Sequence, residues 1–148
     1  MACRSDSSVI EYRDTAEGLD ASQLTTGFFV DWLRTPTPEA HLELLHGSAH
    51  VVVAIDGESD QVVGFVTAIS DGVLSAYISL LEVLPEYQGR GIGSELMRRL
   101  LDQTKGLYML DTLCDVDLQP YYERFGMKRS TGMHIRRYDR IPAGETGG

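Results

Sequence analysis

The sequence predicts an α/β protein in which helices flank a mixed, mostly antiparallel sheet. Two apolar, β-branched runs, 51–55 and 61–69, are separated by the polar turn 56–60, which is the pattern of two strands joined in a hairpin. Further along, the apolar stretch 76–83 is followed by a glycine-rich turn and then by an amphipathic helical pattern. Hairpins followed by a strand–helix–strand unit indicate a sheet with both antiparallel and parallel pairs.

The elements before the hairpin are weaker in pattern. A short strand is predicted over 9–12, and helical periodicity over 21–33. A second helix is expected from about 38 to 46, because a proline stands near its start and Gly47 follows its end. These helices would cover the sheet.

The elements after the glycines are more regular. A helix is predicted from 92 to 105, with its apolar residues on one stripe and Gly106 at its end. A strand should follow over 108–113, and then a short helix over 118–125 that begins after Asp117. Two late strands are expected within 127–138. The tail from about 141 is expected to be poorly ordered, and nothing in 1–148 indicates a domain boundary.

Composition excludes several classes of protein. The chain has 148 residues, of which 43% are hydrophobic and 24% charged, as expected of one globular domain. No run approaches the ~20 apolar residues of a membrane span, no secretory signal is recognisable, and two cysteines make no disulfide framework. The cytoplasm is therefore the expected location. A net charge of −9 makes nucleic acid an unfavourable partner and mildly favours cationic small molecules.

The glycine-rich turn carries the main functional signal. It has the spacing Gln-x-x-Gly-x-Gly, at Gln88, Gly91 and Gly93, directly before a helix. Backbone amides at a helix N-terminus favour phosphate groups. A P-loop would need a lysine here, and a dinucleotide fingerprint would need glycine where Ser94 stands, although Asp111 lies at about its acidic position ~20 residues on. A simple connecting turn also fits the pattern.

A resemblance extends from this motif to a second segment. The glycine spacing resembles the pyrophosphate-binding signature of the GNAT acyltransferases, which use acetyl-CoA. Residues 115–127, DVDLQPYYERFGM, resemble the family's penultimate helix and its Tyr-Glu-Lys-x-Gly-Phe ending. The two segments cover about a third of the chain, and the order of elements extends the likeness to the GNAT fold. Asp115 and Met127 depart from the usual Asn and Phe, which puts one contact to the pantetheine arm in doubt.

The resemblance implies a cofactor site at the turn and along the preceding strand. Backbone groups near Leu81 and Val83 would pair with the amides of pantetheine, where a parting of two strands leaves a slot. One N–H there would also stabilise the thioester oxygen. The residues expected around the pyrophosphate are Gln88, Gly89, Arg90, Gly91, Ile92, Gly93 and Ser94.

The resemblance also implies catalytic residues. Tyr122 is the expected general acid, which would protonate the departing sulfur. Glu82, a carboxylate in an apolar strand, is the natural candidate for the base, although strand alternation points it away from Leu81 and Val83. Other candidates for the base, directly or through water, are Tyr77, Ser79 and Asp111.

The predicted function is acetyl transfer from acetyl-CoA to an amine by direct attack in a ternary complex. Cys114 stands near the slot without a histidine nearby in sequence, so no acyl-enzyme nucleophile is indicated. The histidines and the acidic residues show no metal-ligand spacing, so no metal is implied. The alternative is a non-catalytic acyl-CoA-binding sensor or interaction module. The acceptor, a small molecule or a peptide amine, stays open, and the resemblance is compatible with a homodimer.

Overall fold

The computed structural model describes residues 9–25 and 27–143. Its strands are β1 (Ile10–Arg13), β2 (His50–Asp56), β3 (Val62–Ser70), β4 (Ser75–Val83) and β5 (Met109–Asp111), and its α-helices are α1 (Pro38–Gly47), α2 (Ile92–Thr104) and α3 (Gln119–Glu123). Short 3₁₀ turns lie at Ala21–Leu24, Pro85–Tyr87, Val116–Leu118 and Tyr138–Arg140. None of the helices in these described ranges is long and apolar enough to cross a membrane.

The five strands form one sheet in the order β1-β2-β3-β4-β5. Neighbours from β1 to β4 pair antiparallel, and β5 pairs parallel to β4 after the crossover through α2. The predicted mixed, mostly antiparallel sheet is therefore confirmed. The hairpin turn predicted over 56–60 joins β2 to β3 as expected.

Two adjacent residues of β3 show that α1 and α2 cover opposite faces of the sheet. A Cβ added to Gly64 would lie 3.2 Å from side-chain atoms of both Ile92 and Leu96, so the missing side chain lets α2 approach the sheet. The ring of Phe65 lies 4.5 Å, centroid to centroid, from that of His41 in α1. Because successive strand residues point to opposite faces, the sheet is packed between the two helices.

The face covered by α1 is filled by an aromatic cluster around a buried histidine. His41 is 1% exposed and packs edge-on against Phe28 and Phe29, with ring centroids 5.4 and 5.0 Å away. Its Nε2 atom is buried and has no hydrogen-bond partner among the described residues. Burial therefore lowers the pKa of His41 to about 4, so the ring is neutral at physiological pH.

The helix predicted over 21–33 is wrong. Only Ala21–Leu24 forms a 3₁₀ turn, and the chain then runs irregularly, with Thr26 outside the described residues. The apolar residues of this stretch pack in the aromatic cluster without forming the face of a helix. Phe28 and Phe29 are only 6% and 2% exposed there. Phe29 adopts a left-handed conformation with φ of 62°, which no α-helix accommodates.

The two late strands predicted within 127–138 are also wrong, since the described residues contain no strand after Asp111. Every residue from 128 to 140 is exposed, and Met133 is 93% exposed. A strand requires a paired neighbour, and β5 offers only three residues of edge.

One smaller prediction, the helix cap at Asp117, needs correction. Asp117 does not cap a helix with its side chain; it lies inside the 3₁₀ turn that precedes α3. The poorly ordered tail from about 141 stays a prediction; near its start, the Thr37 N–H donates to the Pro142 carbonyl with N···O 3.2 Å. The remainder of the predicted tail, 144–148, lies outside the described residues.

The buried His41 predicts a loss of stability in mild acid. The unfolded chain binds a proton near the ordinary pKa of 6.5, whereas the folded protein binds it only near about 4, so the free energy of unfolding falls as the pH drops below 6.5. We expect the protonation of this residue to lower the free energy of unfolding by about 2 kcal/mol between pH 7 and pH 5. Urea unfolding of the wild type and of His41→Leu at both pH values measures it. An equal loss of stability in both proteins would contradict the assignment.

Candidate active site

The glycine-rich turn presents unpaired amides at the start of α2. Gly89 and Gly91 have φ of 80° and 81°, and Gly91 stands at the N-cap in the left-handed conformation that glycine adopts without strain. No side chain caps this helix end. The first intrahelical bond is donated by Glu95 N–H to the Gly91 carbonyl at 3.1 Å, so the preceding amides of the first turn have no intrahelical acceptor. This geometry suits a phosphate.

Gly93 differs from these two glycines, because its lack of a side chain allows a close contact. A Cβ at this position would lie 3.2 Å from the Tyr121 hydroxyl and 3.7 Å from Val83 Cγ2. The Tyr121 hydroxyl thus lies over the first turn of α2, where burial raises its pKa and Ser94 partly offsets the increase. Tyr121 is therefore part of the wall beside the glycine-rich turn.

The turn is fixed to the sheet at its beginning by two side-chain hydrogen bonds. The Gln88 side-chain amide donates to the Val83 carbonyl with N···O 3.0 Å. The Tyr87 hydroxyl donates to the buried Asp56 carboxylate at 2.5 Å, and this bond raises the pKa of Tyr87 to about 12. The Arg90 guanidinium lies over the Tyr87 ring, 5.1 Å from its centroid. These contacts hold the turn in place before any ligand binds.

β4 and β5 part from one another beside the turn. Their pairing covers only Ser75–Tyr77 on β4 and Met109–Asp111 on β5, whereas β4 continues to Val83 and stays paired with β3 throughout. One further link, from the Thr112 hydroxyl to the Ile78 carbonyl at 3.0 Å, closes the parallel pair. Beyond it, the edge of β4 that contains Leu81 and Val83 has no neighbouring strand among the described residues.

A bulge in β4 decides which side chains share a face. Thr67 faces Leu80 and Ala68 faces Ile78, so Ser79 is the extra residue. The register then places Tyr77 opposite Ile69 and Glu82 opposite Phe65, two β3 residues on the same face. Without the bulge, Tyr77 and Glu82 would point to opposite faces, because five positions separate them.

Glu82 lies under the aromatic cluster, as a half-buried carboxylate with one defined partner. Its Oε1 atom accepts a hydrogen bond from the Phe29 N–H at 2.9 Å. Burial raises the pKa of Glu82; the Phe29 hydrogen bond lowers it in part, and the nearby Asp31 carboxylate raises it again. The strand alternation expected from the sequence holds, since Val83 faces α2 and Glu82 faces α1.

Tyr122 lies in α3, with its hydroxyl partly buried. Burial, together with the smaller effects of Cys114, Tyr121 and Tyr77, raises its pKa to about 12. Its ring meets that of Tyr121 edge-on, with centroids 5.2 Å apart. The side chain keeps its proton throughout the physiological pH range, and Tyr77 lies near enough to contribute to the rise in its pKa.

Comparison with known families and structures agrees with this geometry. The family model described as the acetyltransferase (GNAT) family matches residues 19–127. The chain belongs to the GNAT family.

GNAT structures superpose on most of the chain. A crystal structure from Deinococcus radiodurans R1, described as a candidate acetyltransferase, is 44% identical, with a TM-score of 0.88, and covers 99% of this chain and 100% of that one. A GNAT family acetyltransferase from Streptococcus pneumoniae is 27% identical, with a TM-score of 0.67, and covers 88% of this chain and 98% of that one. The GNAT fold predicted from the sequence is confirmed.

One relative is a longer protein, and this chain matches only part of it. The chloroplastic GCN5-related N-acetyltransferase 1 of Arabidopsis thaliana is 31% identical over 117 residues. The match covers 77% of this chain and 59% of that protein.

The structure brings together some of the predicted GNAT site residues and leaves others apart. Glu82, Ser79 and Tyr77 lie on β4 and Tyr122 lies beside Tyr77, whereas Asp111 is exposed at the end of β5. Sequence reasoning missed Phe29 and the position of Tyr121, since neither lies in the glycine motif. Among residues 9–25 and 27–143, no group of three or more histidine, cysteine or acidic side chains could hold a metal ion.

The bond between Glu82 and Phe29 predicts different effects of two substitutions. Glu82→Ala removes the acceptor and leaves the Phe29 N–H half-buried and unpaired, which should lower the free energy of unfolding by about 1–3 kcal/mol. Glu82→Gln keeps an acceptor oxygen and should lose less than about 1 kcal/mol. Chemical denaturation of both variants checks the prediction. Equal losses would show that the hydrogen bond contributes nothing.

Proposed function

We propose that the protein is an N-acetyltransferase that moves an acetyl group from acetyl-CoA to an amine, with both substrates bound at once. The observation that carries this proposal is the juxtaposition of two open features. The uncapped first turn of α2 lies directly beyond the end of the unpaired edge of β4. A ligand with a diphosphate at one end and amides along its arm matches both features.

The residues present fit acetyl-CoA. The amides of Ile92, Gly93 and Ser94 would bind the pyrophosphate, because they are aligned and have no acceptor within the helix. Backbone groups near Leu81 and Val83 would pair with the arm, much as a strand would. When bound, acetyl-CoA supplies a thioester, whose C–S bond breaks as the C–N bond to the acceptor forms.

Glu82 would act as the base. An aliphatic amine arrives mostly protonated, because its ordinary pKa is close to the ~10.4 of lysine. The raised pKa of Glu82 brings the carboxylate closer to the range in which it can accept a proton at physiological pH and pass it on. The Phe29 N–H fixes one of its oxygens, so Oε2 is the atom available to the acceptor or to a bridging water.

Tyr122 would act as the acid. Its hydroxyl holds a proton at all physiological pH values and could give it to the departing sulfur. A protonated amine loses two protons when it becomes an amide. One is balanced by the proton that ends on sulfur, and the other passes through Glu82 to solvent. Cys114 has no part in this scheme, because the amine attacks directly.

Acetyl-CoA binding is tested with two glycines of equal strain. Gly91 and Gly72 have φ of 81° and 77°, and neither has an atom within 4 Å of an added Cβ. Leucine at either position should cost about 1–2 kcal/mol of stability, through the left-handed backbone. By calorimetry, Gly91→Leu should weaken acetyl-CoA binding at least ~10-fold through obstruction of the first-turn amides, and Gly72→Leu should not. Tight NAD binding without acetyl-CoA binding would overturn the proposal.

The catalytic roles are tested by steady-state kinetics of CoA release. Tyr122→Phe and Glu82→Gln should each lower kcat by on the order of 10²-fold and leave acetyl-CoA affinity nearly unchanged. The loss in Tyr122→Phe should shrink at high pH, where thiolate departs without a proton. Because the pKa of Glu82 is raised, the fall of kcat on the acid side of the pH profile should occur above pH 4.5. This fall should be absent in Glu82→Gln.

Cys114→Ala serves as the control in these kinetics and should be close to neutral. Ping-pong kinetics together with an inactive Cys114→Ala variant would contradict direct attack.

A protein that binds acetyl-CoA but consumes none across a broad panel of amines would be a sensor rather than an enzyme. Cytoplasmic location and homodimerisation stay predictions.

A further inference from the structure

A groove opens between the loop that follows Phe29 and the last described segment of the chain. Its volume is about 370 Å³. One wall is formed by residues 31–33, and the other by residues 136–138 together with Ile141. This volume holds a molecule of amino-acid size but leaves little room for a folded partner.

The two walls are joined outside the groove by defined contacts. The Arg34 guanidinium donates to the Asp139 carbonyl at 3.4 Å, and the Thr37 N–H donates to the Pro142 carbonyl at 3.2 Å. On the inner side, the Trp32 ring packs edge-on against Phe29, with centroids 4.9 Å apart. The groove is therefore built by contacts between the segments, although it has no strand along its second wall.

The segment that forms one wall of the groove also contacts the proposed base. Phe29, which donates to Glu82, is two residues from Asp31, a residue that lines the groove. The Asp31 carboxylate is close enough to Glu82 to raise its pKa. The Asp31 carboxylate thus lines the groove and lies near Glu82, and it would attract a protonated amine there.

Arginines mark the opposite wall. Arg136 and Arg137 line the groove, and among the described residues neither forms an ion pair or a side-chain hydrogen bond. Residues 128–140 contain five basic side chains and one acidic one, in a chain whose net charge is −9. Two unpaired guanidinium groups on so acidic a molecule give this wall the opposite charge, which suits an anionic group.

We propose that the acceptor is a small primary amine that also carries a carboxylate or a phosphate. This proposal rests on the proposed acetyltransferase function and deepens it. The amine lies beside Asp31, on the side of the groove near Glu82, and the anionic group lies at Arg136 and Arg137. The Trp32 ring between them packs against the body of the acceptor. This selectivity departs from the mild preference for cationic molecules that the net charge alone predicts.

The test compares acceptors that differ only in the anionic group, by CoA release at saturating acetyl-CoA. The pairs are L-phenylalanine with L-phenylalaninamide, and O-phosphoethanolamine with ethanolamine. We expect a kcat/KM at least ~10-fold higher for the anionic member of a pair, falling as the salt concentration rises. The pair with the larger ratio shows whether carboxylate or phosphate is preferred. Equal or better use of the uncharged members, or acetylation of no anionic member, overturns the proposal.

A charge-matched pair of double variants locates the effect. Arg136→Gln/Arg137→Gln should raise KM for the anionic acceptor at least ~10-fold, with kcat and the values for the uncharged acceptor little changed. Lys105→Gln/Arg13→Gln removes the same charge at positions that pair with acidic neighbours outside the groove, and should leave both acceptors unaffected. If both double variants raise KM alike, the effect is one of overall charge and the groove is not its cause.

Failure of this inference is separable from failure of the proposed function. An enzyme that binds acetyl-CoA and acetylates only uncharged amines keeps the function and loses the inference. A protein that binds no acetyl-CoA, or releases no CoA with any amine of either kind, loses both. Urea unfolding of the two double variants confirms that any loss of activity comes from a folded protein.

Discussion

The unequal pairing of β4 is the constraint on which the rest of the structure depends. On one side, β4 follows β3 from its first residues to Val83; on the other, β5 accompanies it over only three residues. The backbone groups beyond that point must find other partners, since buried amides and carbonyls are costly when unpaired. Gln88 meets part of this need by bonding to the Val83 carbonyl, which also fixes the glycine turn. The remaining edge is a template for an extended ligand.

The same strand sets the positions of the groups proposed to act as base and acid. A single extra residue, Ser79, turns Glu82 onto the face of Tyr77, and Tyr122 lies beside Tyr77. The backbone of Phe29 then holds the carboxylate from above the sheet. Phe29 itself adopts an unfavourable left-handed conformation, which costs on the order of 1–3 kcal/mol and persists because the aromatic cluster and this hydrogen bond fix it.

Features encoded over a few adjacent residues were predictable from the sequence, and those created by distant contacts were not. The hairpin, the glycine turn and α2 follow from periodicity and glycine spacing, as does the alternation that separates Glu82 from Val83. The helix predicted over 21–33 is wrong because the aromatic residues of this stretch pack in a cluster with His41 and Phe65. Their spacing along the chain resembles that of one face of a helix. The prediction of two late strands is wrong because a strand forms only beside another strand. The sequence pattern of one segment does not show whether such a partner strand exists. Whether the predicted site residues act as proposed depends on the experiments.

The contact between Gly93 and Tyr121 restricts how this sequence can change during evolution. The first turn of α2 and the hydroxyl on α3 lie close together, so a side chain gained at position 93 would need the Tyr121 hydroxyl to move by a few tenths of an ångström. A smaller residue at position 121 would provide that space directly. The two positions are therefore expected to vary together among descendants of this chain, although 28 residues separate them.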